Sequence, residues 1–113
     1  MVQVFRLDEK AWRDAMGKVS VIVGENFSKT LMAGVVVLAP HQRIPKEGYS
    51  QHLQSDEIAY VVEGVAVFGK EDEEILVRES DFLFNPRGTK HYVRNPGDKP
   101  CKMVWALAPP IMV

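Results

Sequence analysis

The sequence predicts an all-β domain, a sandwich or jelly-roll barrel, with one short helix near the N-terminus. Three observations support this prediction. About eight short segments rich in β-branched and aromatic residues recur along the chain, separated by turn residues. Only one segment, near the start, has the caps and spacing of a helix. The 113 residues suffice for one hydrophobic core but not for two.

Composition and charge narrow the classes of protein. A hydrophobic content of 46% and a charged content of 26% are typical of a globular domain. The net charge of −1 favours neither a nucleic acid nor an anionic membrane as partner. The longest apolar run, Leu31 to Ala39, has about half the length that a helix needs to span a bilayer. No long apolar stretch follows residues 2–6, as it would in a signal peptide. A lone Cys101 fits a reducing compartment, so we expect a cytoplasmic protein.

Residues 1–18 are predicted to hold a short strand and the helix. Val2 and Val4 alternate with a polar residue, which favours a strand over Met1 to Phe5. Asp8 is a good N-cap, and Gly17 is a typical terminator. One face of this helix should pack on the sheet, and it holds Ala11, Trp12, Ala15 and Met16.

From residue 19 onward the pattern is that of strands joined by turns. A loop is predicted over 40–48, a hairpin turn over 70–73 and a further turn over 95–98. We expect residues 19–108 to form the barrel and residues 109–113 a tail. The predicted strands are 19–23, 30–39, 58–62, 65–69, 74–78, 82–85, 91–94 and 103–108.

Two of the three histidines and one carboxylate lie at or beside strand-like segments. Alternate side chains of an extended chain share a face, so Ser50 and His52 should point the same way. A turn over 54–56 would let Glu57 face His52, and His91 opens another β-rich run that a barrel can bring to the same place. Two imidazoles and one carboxylate suit non-haem iron(II), while manganese, nickel, cobalt and zinc also fit.

The spacing of these residues resembles the two motifs of the cupin superfamily. The first motif is a glycine, five residues, His-x-His, three or four residues, Glu, six residues and Gly. The second is a glycine, five residues, Pro-x-Gly, two residues, His, three residues and Asn. The resemblance implies a small single-domain cupin, whose fold is a jelly-roll or double-stranded β-helix barrel. The chain matches the first motif at His52, Glu57 and Gly64, and the second at Pro86, Gly88, His91 and Asn95.

The chain departs from the cupin motifs at three positions. Ser50 stands where the first histidine would be, and Ile44 and Ser80 stand at the two leading glycines. The resemblance therefore implies a site of three ligands, in place of four, for a divalent metal: iron, manganese, nickel or zinc. Either water or a nearby glutamine completes the metal's coordination, or the affinity is too low for the site to stay loaded. The implied ligands are His52, Glu57 and His91.

Further residues near the motifs are candidates for the site. Ser50 can donate a hydrogen bond to a metal-bound water or to substrate, and Gln54 offers an oxygen ligand although its turn position favours exposure. Tyr60 or Tyr49 is a candidate acid or hydrogen-bond donor, whereas His41, in a loop, is expected outside the site. The aromatic residues that are candidates to line a pocket are Tyr49, Tyr60, Phe82, Phe84, Tyr92 and Trp105.

Three cations near His91 offer a clamp for a carboxylate substrate, namely Arg87, Lys90 and Arg94. Strand alternation, however, puts Arg94 on the face opposite His91.

Two functions fit these features. The first is a small metal-dependent enzyme of the dioxygenase, isomerase or decarboxylase type, acting on an oxygenated molecule such as a keto acid, a diketone or a sugar derivative. The second is a non-catalytic cupin that binds or senses a small molecule, with a weak or empty metal site, as the absent first histidine favours. The resemblance also implies a homodimer, for which the N-terminal strand and the apolar tail over 106–113 offer surface.

Overall fold

Two antiparallel sheets enclose the hydrophobic core in the computed structural model, which describes residues 1–111. The larger sheet has the strand order β1-β2-β9-β4-β7 and the smaller β3-β8-β5-β6, which confirms the all-β prediction. In chain order the elements are α1 (Glu9–Asp14), β1 (Val19–Val23), β2 (Met32–Leu38), β3 (Arg43–Ile44), β4 (Asp56–Glu63), β5 (Val65–Gly69), β6 (Glu74–Arg78), β7 (Phe82–Asn85), β8 (Tyr92–Arg94) and β9 (Cys101–Ala108).

The predicted helix is present as a six-residue α1. The Asp8 carboxylate accepts a hydrogen bond from the Ala11 amide, as expected of an N-cap. Ala15 is fully buried beneath the helix, where it packs with Val35 and Val37 of β2, and Trp12 packs against the same cluster. The helix thus covers part of the outer face of the larger sheet. Within residues 1–111, no helix has the length and apolarity to cross a membrane.

The strand predicted over residues 1–5 was wrong. Residues 1–8 form no regular element, and Val2 and Val4 are 92% and 72% exposed. Alternation produces a strand only where a neighbouring strand accepts its hydrogen bonds, and this segment pairs with none among the described residues. The Phe5 ring instead packs edge-on against Phe27, with 5.2 Å between ring centroids.

Most of the predicted strands occur where the sequence places them. β1, β5, β6 and β7 have the predicted bounds, and β2 and β9 differ by one or two residues at an end. The amide of Lys70 donates to the Glu73 carbonyl at 2.8 Å, which confirms the hairpin turn. The predicted loop over 40–48 contains the two-residue β3.

Asn95 fixes the turn that follows β8. Its amide group is buried, donates to the carbonyl oxygens of Leu38 and Lys99 at 3.1 and 2.7 Å, and accepts from the Gly97 amide at 2.9 Å. These three bonds give this motif asparagine a structural role in the turn predicted over 95–98.

The motif glycines occupy backbone conformations that suit glycine. Gly64 and Gly88 have φ angles of 92° and 84°. A Cβ atom at Gly64 would lie 2.8 Å from the Pro100 carbonyl oxygen, so the close approach of the chain there also requires glycine. Ser80, which replaces a motif glycine, keeps the glycine-like φ of 73°.

Candidate metal centre

His52, Glu57 and His91 converge inside the barrel. Each offers one ligand atom, and these atoms all lie within 4.8 Å of one another. His52 belongs to the loop before β4, Glu57 is the second residue of β4, and His91 directly precedes β8. The fold therefore brings His91, from a distant part of the sequence, beside His52 and Glu57.

Main-chain hydrogen bonds hold the two histidines in place. Ser50 and His91 form a two-residue antiparallel bridge, with N–H···O distances of 2.8 and 2.9 Å. The Gly88 amide donates to the His52 carbonyl at 2.8 Å. The imidazole rings are 5.1 Å apart between centroids. Because these bonds use only backbone atoms, both side chains are free to act as ligands.

The surroundings of His91 determine which ring nitrogen can bind a metal. Nδ1 lies 3.0 Å from the Thr89 carbonyl oxygen, which can only accept, so Nδ1 carries the hydrogen of the neutral ring. Nε2 then bears the lone pair, and it lies 3.7 Å from Glu57 Oε1. The Phe68 ring stacks on the imidazole at 5.3 Å, with an angle of 11° between the planes. These contacts fix the ring orientation, as hydrogen bonds to the second ring nitrogen do for metal-binding histidines.

Asn85 is a member of this group that the sequence reasoning missed. It pairs with Glu57 across β4 and β7, is 4% exposed, and its Nδ2 donates to Glu57 Oε1 at 3.3 Å. Asn85 Nδ2 is also 3.3 Å from His91 Nδ1, but a protonated Nδ1 does not accept its hydrogen. Asn85 Oδ1 is buried without a partner among the described residues. The available sequence signal was alternation, since Asn85 follows the inward Leu83 by two positions.

Burial lowers the pKa of His52 below its ordinary value. Loss of water around the ring is the largest cause; the Glu57 carboxylate raises the pKa and His91 lowers it, both more weakly. A lowered pKa keeps the imidazole neutral at physiological pH, which is the form that binds metals. Two neutral imidazoles and one carboxylate are a donor set that suits a divalent transition metal.

Of the additional candidate site residues, the structure places one in the cavity of the donors and the others outside it. Ser50 lines the same cavity as the three donors. Gln54 is exposed and does not line it, because its turn faces solvent. Tyr60 lies on the opposite face of β4, since an odd number of positions separates it from Glu57, and its hydroxyl is 3.5 Å from Ser80 Oγ. Tyr49, 44% exposed, also lies outside the cavity. Neither Tyr60 nor Gln54 therefore lies in the cavity that the three donors line.

The predicted aromatic lining is also revised. Trp105 lines the cavity, as does Phe68, which was not predicted. Phe82 and Phe84 are 66% and 60% exposed, on the outer face of the larger sheet. Tyr92 packs outside the barrel.

The predicted carboxylate clamp does not form. Arg94 donates two hydrogen bonds to the Glu74 carboxylate, at 2.9 and 2.8 Å, away from the cavity. Arg87 and Lys90 are exposed. His41 is exposed in its loop, as expected.

Comparison with protein families gives a match to the cupin domain over residues 34–107. Among curated proteins, the chain is 36% identical over 76 residues to the polyketide synthase CurC of Streptomyces cyaneus, and 30% identical over 76 residues to the tetracenomycin polyketide synthase protein TcmJ of Streptomyces glaucescens. Each alignment covers 67% of this chain, but only 47% of CurC and 49% of TcmJ. The chain thus spans about half the length of these relatives.

Among solved structures, the chain is similar to an uncharacterized conserved protein with a double-stranded β-helix domain from Klebsiella pneumoniae. The TM-score is 0.78 with 19% identity, and the similarity covers 96% of this chain and 91% of that one. At this identity the likeness concerns the fold.

Proposed function

Because the chain belongs to the cupin domain family, we propose that it is a metal-dependent enzyme that acts on an oxygenated small molecule. The observation that carries the proposal is the convergence of His52, Glu57 and His91 within 4.8 Å. These three residues would hold one divalent metal ion: iron, manganese, nickel or zinc. A bound ion would supply Lewis-acid activation of a substrate oxygen, or dioxygen chemistry if it is iron.

The residues around the donors support this assignment. Thr89 keeps the Nε2 lone pair of His91 available, and Asn85 holds the Glu57 carboxylate by a hydrogen bond. Ser50 offers a hydroxyl to a substrate oxygen in the same cavity. The polyketide synthase relatives favour an oxygen-rich substrate of the ketone or diketone kind over a sugar derivative. We place the reaction in the cytoplasm, where Cys101 would remain reduced.

The alternative function is a binding or regulatory cupin without catalysis. The observation that favours it is Ser50, which lines the cavity where the motif has its first histidine and whose hydroxyl is a poor ligand for a transition metal. A site with three protein ligands then holds metal less tightly, and the cavity would serve to bind a small molecule.

Elemental analysis of freshly purified protein distinguishes the two functions. We expect close to one metal ion per chain in the wild type and loss of that metal in His52→Ala and His91→Ala. The matched control is His41→Asn, which changes the third histidine, in an exposed loop at a φ of 63° that asparagine tolerates. Metal far below one per chain, after growth with excess metal, would contradict the enzyme and favour the binding protein.

A further inference from the structure

Beyond the donor group, the barrel interior is apolar. A cavity of about 260 Å³ reaches from the donors into the core. Apart from Ser50 and the three donors, every described residue that lines it is hydrophobic. Side chains from both sheets contribute, among them Val36, Ala59, Phe68, Leu83, Met103 and Leu107. A ligand that fills this volume therefore makes most of its contacts with apolar side chains, which favours a ligand with a hydrocarbon body.

The polar groups of the cavity are gathered in one place, apart from the indole Nε1–H of Trp105, which is buried without a partner among the described residues. The donor atoms of His52, Glu57 and His91 lie within 4.8 Å of one another, and Ser50 is tied to His91 by the backbone bridge. Elsewhere in the cavity, polar ligand atoms would lose water and could gain only the Trp105 N–H as a partner. A suitable ligand thus has an oxygen-bearing head at one end and an apolar body.

Charge restricts the ligand head further. No lysine or arginine of residues 1–111 lines the cavity, and Arg94 is already paired with Glu74. A divalent ion beside the Glu57 carboxylate and two neutral imidazoles leaves one net positive charge, which a singly charged head balances. A second carboxylate on the ligand would be buried without a cation, and an unpaired buried charge is costly.

We infer that the cavity takes a mostly apolar small molecule with one oxygen-bearing head that carries at most one negative charge, such as the enolate form of a 1,3-diketone. Dicarboxylates, sugar acids and phosphate esters are disfavoured by the same lining. This inference rests on the proposed function, because the positive charge in the site comes from the metal.

A pair of probes that share an apolar body tests the inference. 1-Phenylbutane-1,3-dione has a head that forms a monoanion, and phenylmalonate has the same phenyl body with two carboxylates. Titration calorimetry on metal-loaded protein should show the diketone binding at least about tenfold more tightly than phenylmalonate. Equal or tighter binding of phenylmalonate would overturn the inference.

Metal content measured on the same sample separates this inference from the proposed function. Metal-bearing protein that does not bind the diketone overturns the ligand class alone. Protein that takes up no metal overturns both.

Variants that fill the cavity test the place of binding. Ala59 lies two residues after Glu57 on the inward face of β4 and pairs with Leu83 of β7. Ala59→Leu and Leu83→Phe should each weaken diketone binding at least about tenfold while metal content stays unchanged. The matched control, Ile58→Leu, lies on the outer face of the same strand and should bind like the wild type.

Two filling variants guard against the misfolding of either one, and a thermal melt checks each. Unchanged diketone affinity in a folded, metal-bearing filling variant would overturn the inference, because the ligand would then bind elsewhere.

Discussion

Ser50 and His91 exchange both of their backbone hydrogen bonds, at 2.8 and 2.9 Å, in an isolated bridge at the end of the barrel that holds the donors. The bridge sets the position of the Ser50 side chain without using it, and that side chain faces the cavity beside the donors. The position of the motif's first histidine is therefore retained although the residue is not.

Restoring this histidine should strengthen metal binding. Ser50→His adds an imidazole at a backbone position that the bridge already fixes, so we expect the affinity for Zn²⁺ or Mn²⁺ to rise by about tenfold or more, the scale on which ligand surroundings change metal affinity. Competition with a chelating dye measures the affinity. Ser50→Ala is the control and should leave it nearly unchanged. An unaltered affinity in Ser50→His would show that the side chain does not reach the metal.

Asn85 should matter for metal binding through Glu57. Asn85→Ala removes the hydrogen bond to Glu57 Oε1 and should lower metal affinity by about 10–100-fold. The control is Asn95→Ala, which breaks three hydrogen bonds remote from the donors. This control should cost about 2–3 kcal/mol of stability, because buried backbone groups lose their partners, and should leave metal affinity intact. Equal losses of affinity in both variants would contradict a specific role for Asn85.

Glu74 should make the free energy of unfolding depend on pH under acidic conditions. Hydrogen bonds from Arg94 and then Tyr92 lower the pKa of Glu74 from 4.5 to about 2 in the folded protein. Between these values the unfolded chain binds the proton first, so this contribution to stability is present above pH 4.5 and is lost as the pH falls towards 2.

Urea unfolding of the wild type and Glu74→Gln across this range measures the effect. The stability difference between the two proteins should shrink as the pH falls, and added salt should reduce it at higher pH because the pair is partly exposed. A difference that is constant with pH would refute this role of Glu74.

Replacing Ser80 by glycine should stabilise the protein. Ser80 has a left-handed φ of 73°, which costs a residue with a Cβ about 1–2 kcal/mol. Glycine avoids this cost, but its greater freedom in the unfolded chain offsets part of the gain. We expect Ser80→Gly to gain about 0.5–1 kcal/mol and the β-branched Ser80→Val to lose stability, both measured by urea unfolding. Destabilisation by glycine would mean that the Ser80 hydroxyl, 3.5 Å from the Tyr60 hydroxyl, stabilises more than the backbone costs.

We expect the protein to form a homodimer through the outer face of the larger sheet. Ile58 lies opposite Phe84 and Tyr60 opposite Phe82 across β4 and β7, which makes a continuous apolar patch. Light scattering at several concentrations should give a dimer mass, and the double variant Phe82→Ser/Phe84→Ser should shift it towards monomer.

The control for the dimer is Leu76→Ser, which changes a residue that is 50% exposed on the smaller sheet. Wild-type protein that is monomeric at every concentration would refute the homodimer. Of the apolar tail that the sequence also suggested as contact surface, residues 112 and 113 lie outside the described residues.

Local sequence signals predicted most strands correctly. The errors occurred where strand formation depends on pairing with a distant segment. Residues 65–69 and 74–78 become strands because they alternate and a turn joins them, so each supplies the other's partner. Residues 1–5 alternate as well, but no described strand lies beside them. The two-residue β3 was missed within its predicted loop because its pairing with β8 depends on residues some fifty positions away.

The donors of the candidate site were predictable and their surroundings were not. Motif spacing brought out His52, Glu57 and His91, which the fold does bring together. Asn85 was missed because alternation from Leu83 indicates only its face of the strand. Its contact with Glu57 depends on the register of β4 and β7, which no motif marks. The prediction for Tyr60, by contrast, could have been avoided from the sequence. Counting three positions from Glu57 along one strand places Tyr60 on the outer face.

The contact between Gly88 and His52 links the movement of one loop to the positions of both histidines. The Gly88 amide donates to the His52 carbonyl, and Gln51 Nε2 donates to the Gly88 carbonyl at 2.9 Å, so two bonds tie the loop before His91 to the segment that carries His52. A displacement of this loop would pull on both histidines and change the spacing of their nitrogens. Conditions that loosen this loop should therefore speed the loss of a metal ion held by the two histidines.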